Sequence, residues 1–165
     1  MYELEQQVLQ NPFVENATVY VTPKGLLKTY IKQREPLVRL VDSNGSYYVD
    51  KFGTVMPMSS NYSARVPLVF NISKPEDIEK VKKLMLFVQK DDFLNKEIVG
   101  IQRQGRDFLL EVRSGDYKVN IGDIVNLDIK FKKLKAFYNK ALLDKTIEKY
   151  KVINIKYHNQ VVCEK

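Results

Sequence analysis

The sequence of 165 residues is poor in the side chains that most metal and nucleophile sites require. It has one cysteine, Cys163, one histidine, His158, and no tryptophan. A single cysteine excludes an internal disulfide and a cysteine-based zinc site, and a single histidine excludes the common multi-histidine metal sites. No apolar run approaches the ~20 residues of a membrane-spanning helix, and no charged start precedes an apolar signal core. We therefore expect this chain by itself to be soluble.

Motifs of the common enzyme classes are also missing. There is no Gly-rich phosphate loop and no G-x-S-x-G. Cys163 and His158 are separated by an odd number of positions, which points them to opposite faces of a continuous strand. We interpret the pair Asp91-Asp92 as solvated surface at a helix end. The sequence thus predicts no catalytic residue, no metal and no cofactor, and a lysine- or carboxylate-based hydrolase is a rival without a visible site.

The charge of the chain is positive and moderate. The 27 Lys and Arg residues exceed the 20 Asp and Glu residues by seven, which suits a nucleic acid, an anionic membrane surface or an acidic protein partner. The densest basic run contains Lys130, Lys132, Lys133 and Lys135. On a helix these positions spread over the polar circumference, so we interpret them as solvated lysines. A basic nucleic-acid-binding domain remains an alternative.

The N-terminal part predicts a helix followed by a β-hairpin. Apolar residues recur at near-helical spacing in residues 3–10, and Pro12 ends this pattern because proline lacks the N–H donor that a continuing helix needs. Apolar and polar residues then alternate in 17–21 and 27–31, around a turn at 22–25. This unit is smaller than the ~40 residues that usually suffice for an independent core, so it must pack against neighbouring parts of the protein to be stable.

The rest of the chain predicts a β-sheet with two helices. The predicted strands are residues 37–41, 47–50, 66–70, 96–103, 108–113, 117–121, 152–157 and 160–163. Three of them form an antiparallel meander, and the last two form a closing hairpin. The first helix is expected to begin at Ser73, which with Glu76 matches the S-x-x-E capping box, and the second has Asn126 as its cap. The fold class is therefore α+β.

The last predicted strand is a candidate for binding through its backbone. Residues Gln160 to Cys163 are short, β-branched and terminal, so we expect them at a sheet edge. An edge strand exposes unpaired N–H and C=O groups that invite another strand, and soluble proteins usually blunt it with charge or proline. Neither occurs here before Glu164-Lys165. From the residues alone, a docking site and a harmless edge protected by its shortness are both open.

Several segments together resemble the FtsQ/DivIB cell-division family. They are NPFVENA (11–17), QREPLVRL (33–40), YYVDKFGTVMPMS (47–59), YSARVPLV (62–69) and the ending YKVINIKYHNQVVCEK. The resemblance implies a POTRA unit that leads through the junction Arg34-Glu35-Pro36 into a bent antiparallel sheet backed by two helices, with a turn at Asp50-Lys51-Phe52-Gly53. Residues 1–36 are then a POTRA remnant without its first strand and first helix, and residues 37–165 are the β domain.

The resemblance also implies a function. Members of the family are non-enzymatic scaffolds of the divisome that bind FtsB and FtsL and link them to septal peptidoglycan synthesis. The parent protein is implied to be a single-pass protein of the inner membrane, with this region in the periplasm at the division septum. A POTRA-type chaperone or translocation module that binds client strands is the nearest alternative.

The same resemblance implies where the partner binds. FtsB is expected to add a strand to Gln160, Val161, Val162 and Cys163. The pair Lys156-Tyr157 matches a basic and aromatic pair that contacts FtsB, with the basic residue facing an acidic partner. Asn159 lies where a small polar turn residue is frequent, and Gln160 replaces a glycine that often follows it.

Overall fold

The first unit of the chain is a helix packed on a two-stranded sheet. In the computed structural model, which describes residues 1–165, helix α1 (Tyr2–Leu9) precedes strands β1 (Val14–Val21) and β2 (Leu27–Gln33). The two strands pair antiparallel and have no third neighbour. Alternate residues of β1 are buried, whereas every residue of β2 is exposed. The predicted helix and hairpin are therefore confirmed.

A nine-stranded sheet contains the remaining strands. These are β3 (Pro36–Asp42), β4 (Gly45–Asp50), β5 (Val55–Met56), β6 (Leu68–Phe70), β7 (Ile98–Gln104), β8 (Asp107–Val112), β9 (Lys118–Gly122), β10 (Val152–Asn154) and β11 (Val162–Glu164). Their order across the sheet is β11-β10-β9-β8-β7-β6-β3-β4-β5. The α+β class is confirmed, and the meander β7-β8-β9 has the expected antiparallel pairing.

The sheet is mixed, which differs from the purely antiparallel sheet expected from the sequence. Strand β6 pairs parallel with both β3 and β7, and β10 pairs parallel with β9. Two of these pairs are joined through helices, because a parallel pair needs a long crossover connection. Helices α2 (Pro75–Val88) and α3 (Asp92–Glu97) lie between β6 and β7, and α4 (Leu127–Ala141) lies between β9 and β10.

The core lies between the two long helices and one face of the sheet. Val81, Leu84 and Met85 of α2 join Phe131 and Leu134 of α4 in one buried cluster. The sheet contributes residues that alternate along its strands, including Ile101, Leu110, Val119 and Ile153, which are fully buried. The period of two along the strands and of about 3.6 along the helices thus places apolar side chains on facing surfaces.

The helix caps differ from those predicted. Helix α2 has Lys74 as its N-cap with no side-chain hydrogen bond, so the capping box at Ser73 is wrong. Asn126 is the N-cap of α4, as predicted, but it has a left-handed backbone with φ of 52° and its side chain caps nothing. Asp91 caps α3, a short helix that the sequence did not predict, by accepting hydrogen bonds from the N–H groups of Phe93 and Leu94.

An ion pair joins the two sheets. Arg34 Nη1 donates to Asp50 Oδ2 at 2.5 Å, and the Arg34 guanidinium also donates to the carbonyls of Pro12 and Val14. Asp50 is 1% exposed and accepts the N–H groups of Phe52 and Thr54 through Oδ1. The Asp50 carboxylate therefore stabilises the turn at residues 50–53 and also attaches the N-terminal unit to the nine-stranded sheet.

Candidate functional site

Strand β11 occupies one end of the nine-stranded sheet. Its only neighbour is β10, with Val152 opposite Glu164, Ile153 opposite Cys163 and Asn154 opposite Val162. The predicted edge position is confirmed. One flank of β11 thus carries N–H and C=O groups without a partner strand, which is the property that allows another strand to be added.

The two faces of β11 have different chemistry. Val161 and Cys163 are half-buried and pack against the hydrophobic core on the helix side. Glu164 points to the opposite face, where its Oε1 accepts a hydrogen bond of 2.6 Å from Asn154 Nδ2. Burial raises the pKa of the Cys163 thiol above its usual value. The edge is therefore apolar towards the helices and polar towards the open face.

The loop before β11 is longer than the predicted hairpin turn. Strand β10 ends at Asn154, and β11 begins at Val162. The expectation that Lys156 and Tyr157 end a strand is wrong, because both lie in the connecting loop. Tyr157 is 43% exposed, and Asn159 and Gln160 are exposed in the same loop. The predicted residues are close along the chain, but only Val162 and Cys163 belong to the edge strand itself.

Lys156 has a partner within the protein. Its Nζ donates to Asp107 Oδ2 at 2.7 Å and lies 5.5 Å from the centroid of the Tyr157 ring. Hydrogen bonds from Lys156 and then from Asn120 lower the pKa of the Asp107 carboxyl below its usual value, and Asp107 raises the pKa of Lys156. The positive charge of Lys156 is thus already balanced by Asp107 before any partner binds.

Glycine makes room for this arrangement. Gly122, at the end of β9, has a φ of +66°. A Cβ added to it would lie 2.9 Å from Cβ of Lys156, so a side chain there would displace the loop.

Helix α4 fixes the loop from the other side. Lys133 Nζ donates to the carbonyl of Ile155 at 2.9 Å and also to the carbonyl of Tyr157. Ile155 itself is fully buried. The backbone on both sides of Lys156 is therefore held, and Tyr157 is presented by an anchored segment. Sequence reasoning missed Lys133 in this role because its partners lie 22 and 24 positions away.

The basic run of α4 does not form a free surface for phosphates. Lys130 is 7% exposed, and its Nζ donates to the carbonyls of Ile121 and Asp123. Burial lowers the pKa of this lysine. Lys135 pairs with Asp91, and Lys133 binds the loop carbonyls as described above. Three of the four ammonium groups thus have internal partners, which corrects the interpretation of the run as solvated lysines.

The structure contains neither a cluster of metal-ligating side chains nor a membrane-spanning helix. No group of three or more His, Cys, Asp or Glu side chains could hold a metal ion. None of the helices is both long enough and apolar enough to span a bilayer.

The buried carboxylate of Glu97 accepts hydrogen bonds from Ser114 and Tyr138, and this group joins α3, the β8–β9 turn and α4. These hydrogen bonds hold the three elements against one another.

Comparisons with known proteins agree with this arrangement. The family model described as FtsQ/DivIB, C-terminal related, matches residues 35–164. The chain is also 24% identical over 173 residues to the cell division protein FtsQ of Rhodothermus marinus, an alignment that covers 96% of this chain. The chain spans 63% of the length of that relative. The region matched by the family model contains the whole nine-stranded sheet and its edge strand β11.

Proposed function

The chain belongs to the FtsQ/DivIB, C-terminal related, family, and from this premise we propose that it acts in cell division as a non-enzymatic scaffold. In this proposal it binds an FtsB/FtsL complex by strand addition to β11 and links that complex to septal peptidoglycan synthesis. The observation that carries the proposal is the unpaired flank of β11 at the end of the nine-stranded sheet.

Strand addition at β11 would extend two existing patterns. A partner strand would continue the backbone ladder on the free flank of β11, because β11 pairs with β10 on the other flank alone. Main-chain hydrogen bonds supply affinity in this binding mode. The core also continues, since Val161 and Cys163 are half-buried against it and a partner strand would cover them further. Apolar residues at alternate positions of the partner strand are expected on this side.

The anchored loop supplies the second part of the proposed interface. Tyr157 has a large apolar ring that is 43% exposed, and residues of this type often dominate binding energy at interfaces. Lys156 lies against that ring, and Asn159 and Gln160 continue the exposed surface towards β11. Because Lys133 and Asp107 hold the loop, little conformational entropy is lost when a partner binds it.

The wider organisation of the protein is part of the proposal. We place a POTRA-type unit at residues 1–36 and the β domain at residues 37–165. The change from the two-stranded sheet to the nine-stranded sheet at Pro36 supports this boundary. We propose that the whole protein is a single-pass protein of the inner membrane and that this region lies in the periplasm at the septum.

Proline substitutions in β11 test the proposed binding mode. Neighbouring residues of a strand direct their N–H groups to opposite flanks, so either Val162→Pro or Cys163→Pro removes a donor from the free flank. We expect at least one of these variants to stay folded and to bind an FtsB-like periplasmic fragment at least tenfold more weakly, as measured by calorimetry.

The opposite sheet edge provides a matched control. Val55 lies in the two-residue edge strand β5 and is 55% exposed, so Val55→Pro should leave the affinity unchanged. Tyr157→Ala should also weaken binding by about tenfold or more, because it removes the exposed aromatic ring from the proposed interface. Full affinity in folded forms of both β11 variants would contradict strand addition.

A further inference from the structure

A polar cavity lies on the open face of the sheet beside β11. It has a volume of about 350 Å³ and is formed by β8, β9, β10 and β11 together with the end of β7. Its lining residues are Gln104, Asp107, Leu109, Asn120, Val152 and Glu164. The cavity therefore reaches from the middle of the meander to the edge at which we propose strand addition.

One acceptor beside this cavity is buried without a donor. Asn154 is 3% exposed and lies between Asn120 of β9 and Val162 of β11. Its Nδ2 donates to Oε1 of Glu164, which lines the cavity, whereas its buried Oδ1 has no hydrogen-bond partner. A buried acceptor without a hydrogen-bond partner destabilises the fold, because it has lost its water without gaining a donor. A donor supplied by a ligand would remove that cost.

The charges around the cavity are unbalanced. Asp107 and Glu164 contribute two negative charges, and Lys156 contributes one positive charge through its pair with Asp107. The next lysine on this face, Lys118, donates to Gln102 and lies 3.6 Å from Glu111, which balances it. Among the side chains that line the cavity and their direct ion-pair partners, one negative charge is thus in excess, and Glu164 Oε2 accepts no hydrogen bond.

We propose that this cavity receives an arginine side chain from the strand that adds to β11. This inference rests on the proposed function. A guanidinium has five N–H donors in one plane, which suits the Glu164 carboxylate and the free Oδ1 of Asn154 together. The carboxylates are too few for a metal site. The partner is then selected by a basic residue of its own, instead of by an acidic residue facing Lys156.

The chemistry of the site also explains why arginine fits better than lysine. The two acceptors, Oδ1 of Asn154 and the Glu164 carboxylate, lie on the neighbouring strands β10 and β11. Because neighbouring strands are ~4.8 Å apart, a planar group with separated donors can reach both acceptors. An ammonium group is a compact point charge and is more strongly hydrated.

A double-mutant cycle with an FtsB-like periplasmic fragment tests the inference. In the chain, Glu164→Gln keeps the acceptor for Asn154 Nδ2 but removes the charge. In the fragment, each arginine of the bound strand is replaced in turn by glutamine. We expect each single change to weaken binding by about tenfold and one pair to be non-additive, because charge-assisted hydrogen bonds connect the two side chains.

The matched control is Glu111→Gln. Glu111 lies on the same open face in β8 but outside the cavity, so its substitution should not couple to any arginine of the fragment. If the β11 proline variants lose binding but Glu164 shows no coupling, or if the bound strand has no arginine, strand addition stands and the arginine site is overturned. If the fragment does not bind the unmodified chain, both proposals fail.

Discussion

Lysine residues with the same charge have different roles in this protein. Lys130 is buried and donates to the backbone carbonyls of Ile121, in β9, and of Asp123, just after it. Lys133 holds the loop between β10 and β11, and Lys156 pairs with Asp107. Each ammonium donates to carbonyl or carboxylate oxygens within the protein. The positive charge of the chain therefore contributes to its internal structure as well as to its surface.

The pair of Lys156 and Asp107 gives a prediction about pH. The pKa of Asp107 lies below its usual value because Lys156 donates to it. The pair therefore stabilises the fold above the ordinary pKa of ~3.9, and this contribution is lost as the pH falls through the lower folded value. NMR titration of the carboxyl carbons should show the lowered pKa, and Lys156→Met should raise it towards the ordinary value.

The control for this titration is Lys151→Met, since the Lys151 side chain is exposed and has no carboxylate partner. An unchanged pKa of Asp107 in Lys156→Met would contradict the pair. Because both groups are partly exposed, the effect on the free energy of unfolding should stay small.

At the scale of elements, short segments depend on single side chains. Helix α3 has six residues, which is too short for stability by propensity alone. Asp91 caps it through two backbone N–H groups and also pairs with Lys135 of α4. The same carboxylate thus forms the start of one helix and attaches it to another.

Removing this cap should be costly for so small an element. We expect Asp91→Ala to lower the free energy of unfolding by roughly 1–2 kcal/mol in urea denaturation, because the N-cap bonds and the pair with Lys135 are lost together. The neighbouring Asp92→Ala should cost roughly 0.5 kcal/mol through the helix dipole alone. Equal effects of the two substitutions would argue against a capping role for Asp91.

At the scale of the whole molecule, the junction between the two sheets is the decisive feature. The two-stranded and nine-stranded sheets share no backbone ladder. Arg34 connects them through Asp50 and through the carbonyls of Pro12 and Val14. A second, more exposed link is Glu15 with Lys51, at 3.6 Å. We therefore expect this ion pair to have a large part in the orientation of the N-terminal unit.

Asp50→Asn tests this role of the junction. The change keeps an acceptor for the turn but leaves Arg34 without its charge partner, so we expect a loss of about 3 kcal/mol in stability. Residual dipolar couplings should then show the two sheets in a broader range of relative orientations. Glu15→Gln, which removes the exposed links to Lys32 and Lys51, should change neither quantity much. An unchanged orientation in Asp50→Asn would exclude the ion pair as the cause.

The sequence by itself determined the kinds of elements and the edge position of the last strand. The alternation in β1, the apolar runs in β3 and β8 and the apolar stripes of α2 and α4 are local patterns, so they can be recognised without knowing the neighbours. Only the tertiary structure decided the parallel pairs, the burial of Lys130 and the pairing of Lys156 with Asp107. These depend on which strands lie side by side, since Lys156 and Asp107 are separated by 49 positions. Contacts of that range follow from the order of strands in the sheet, which no local periodicity encodes.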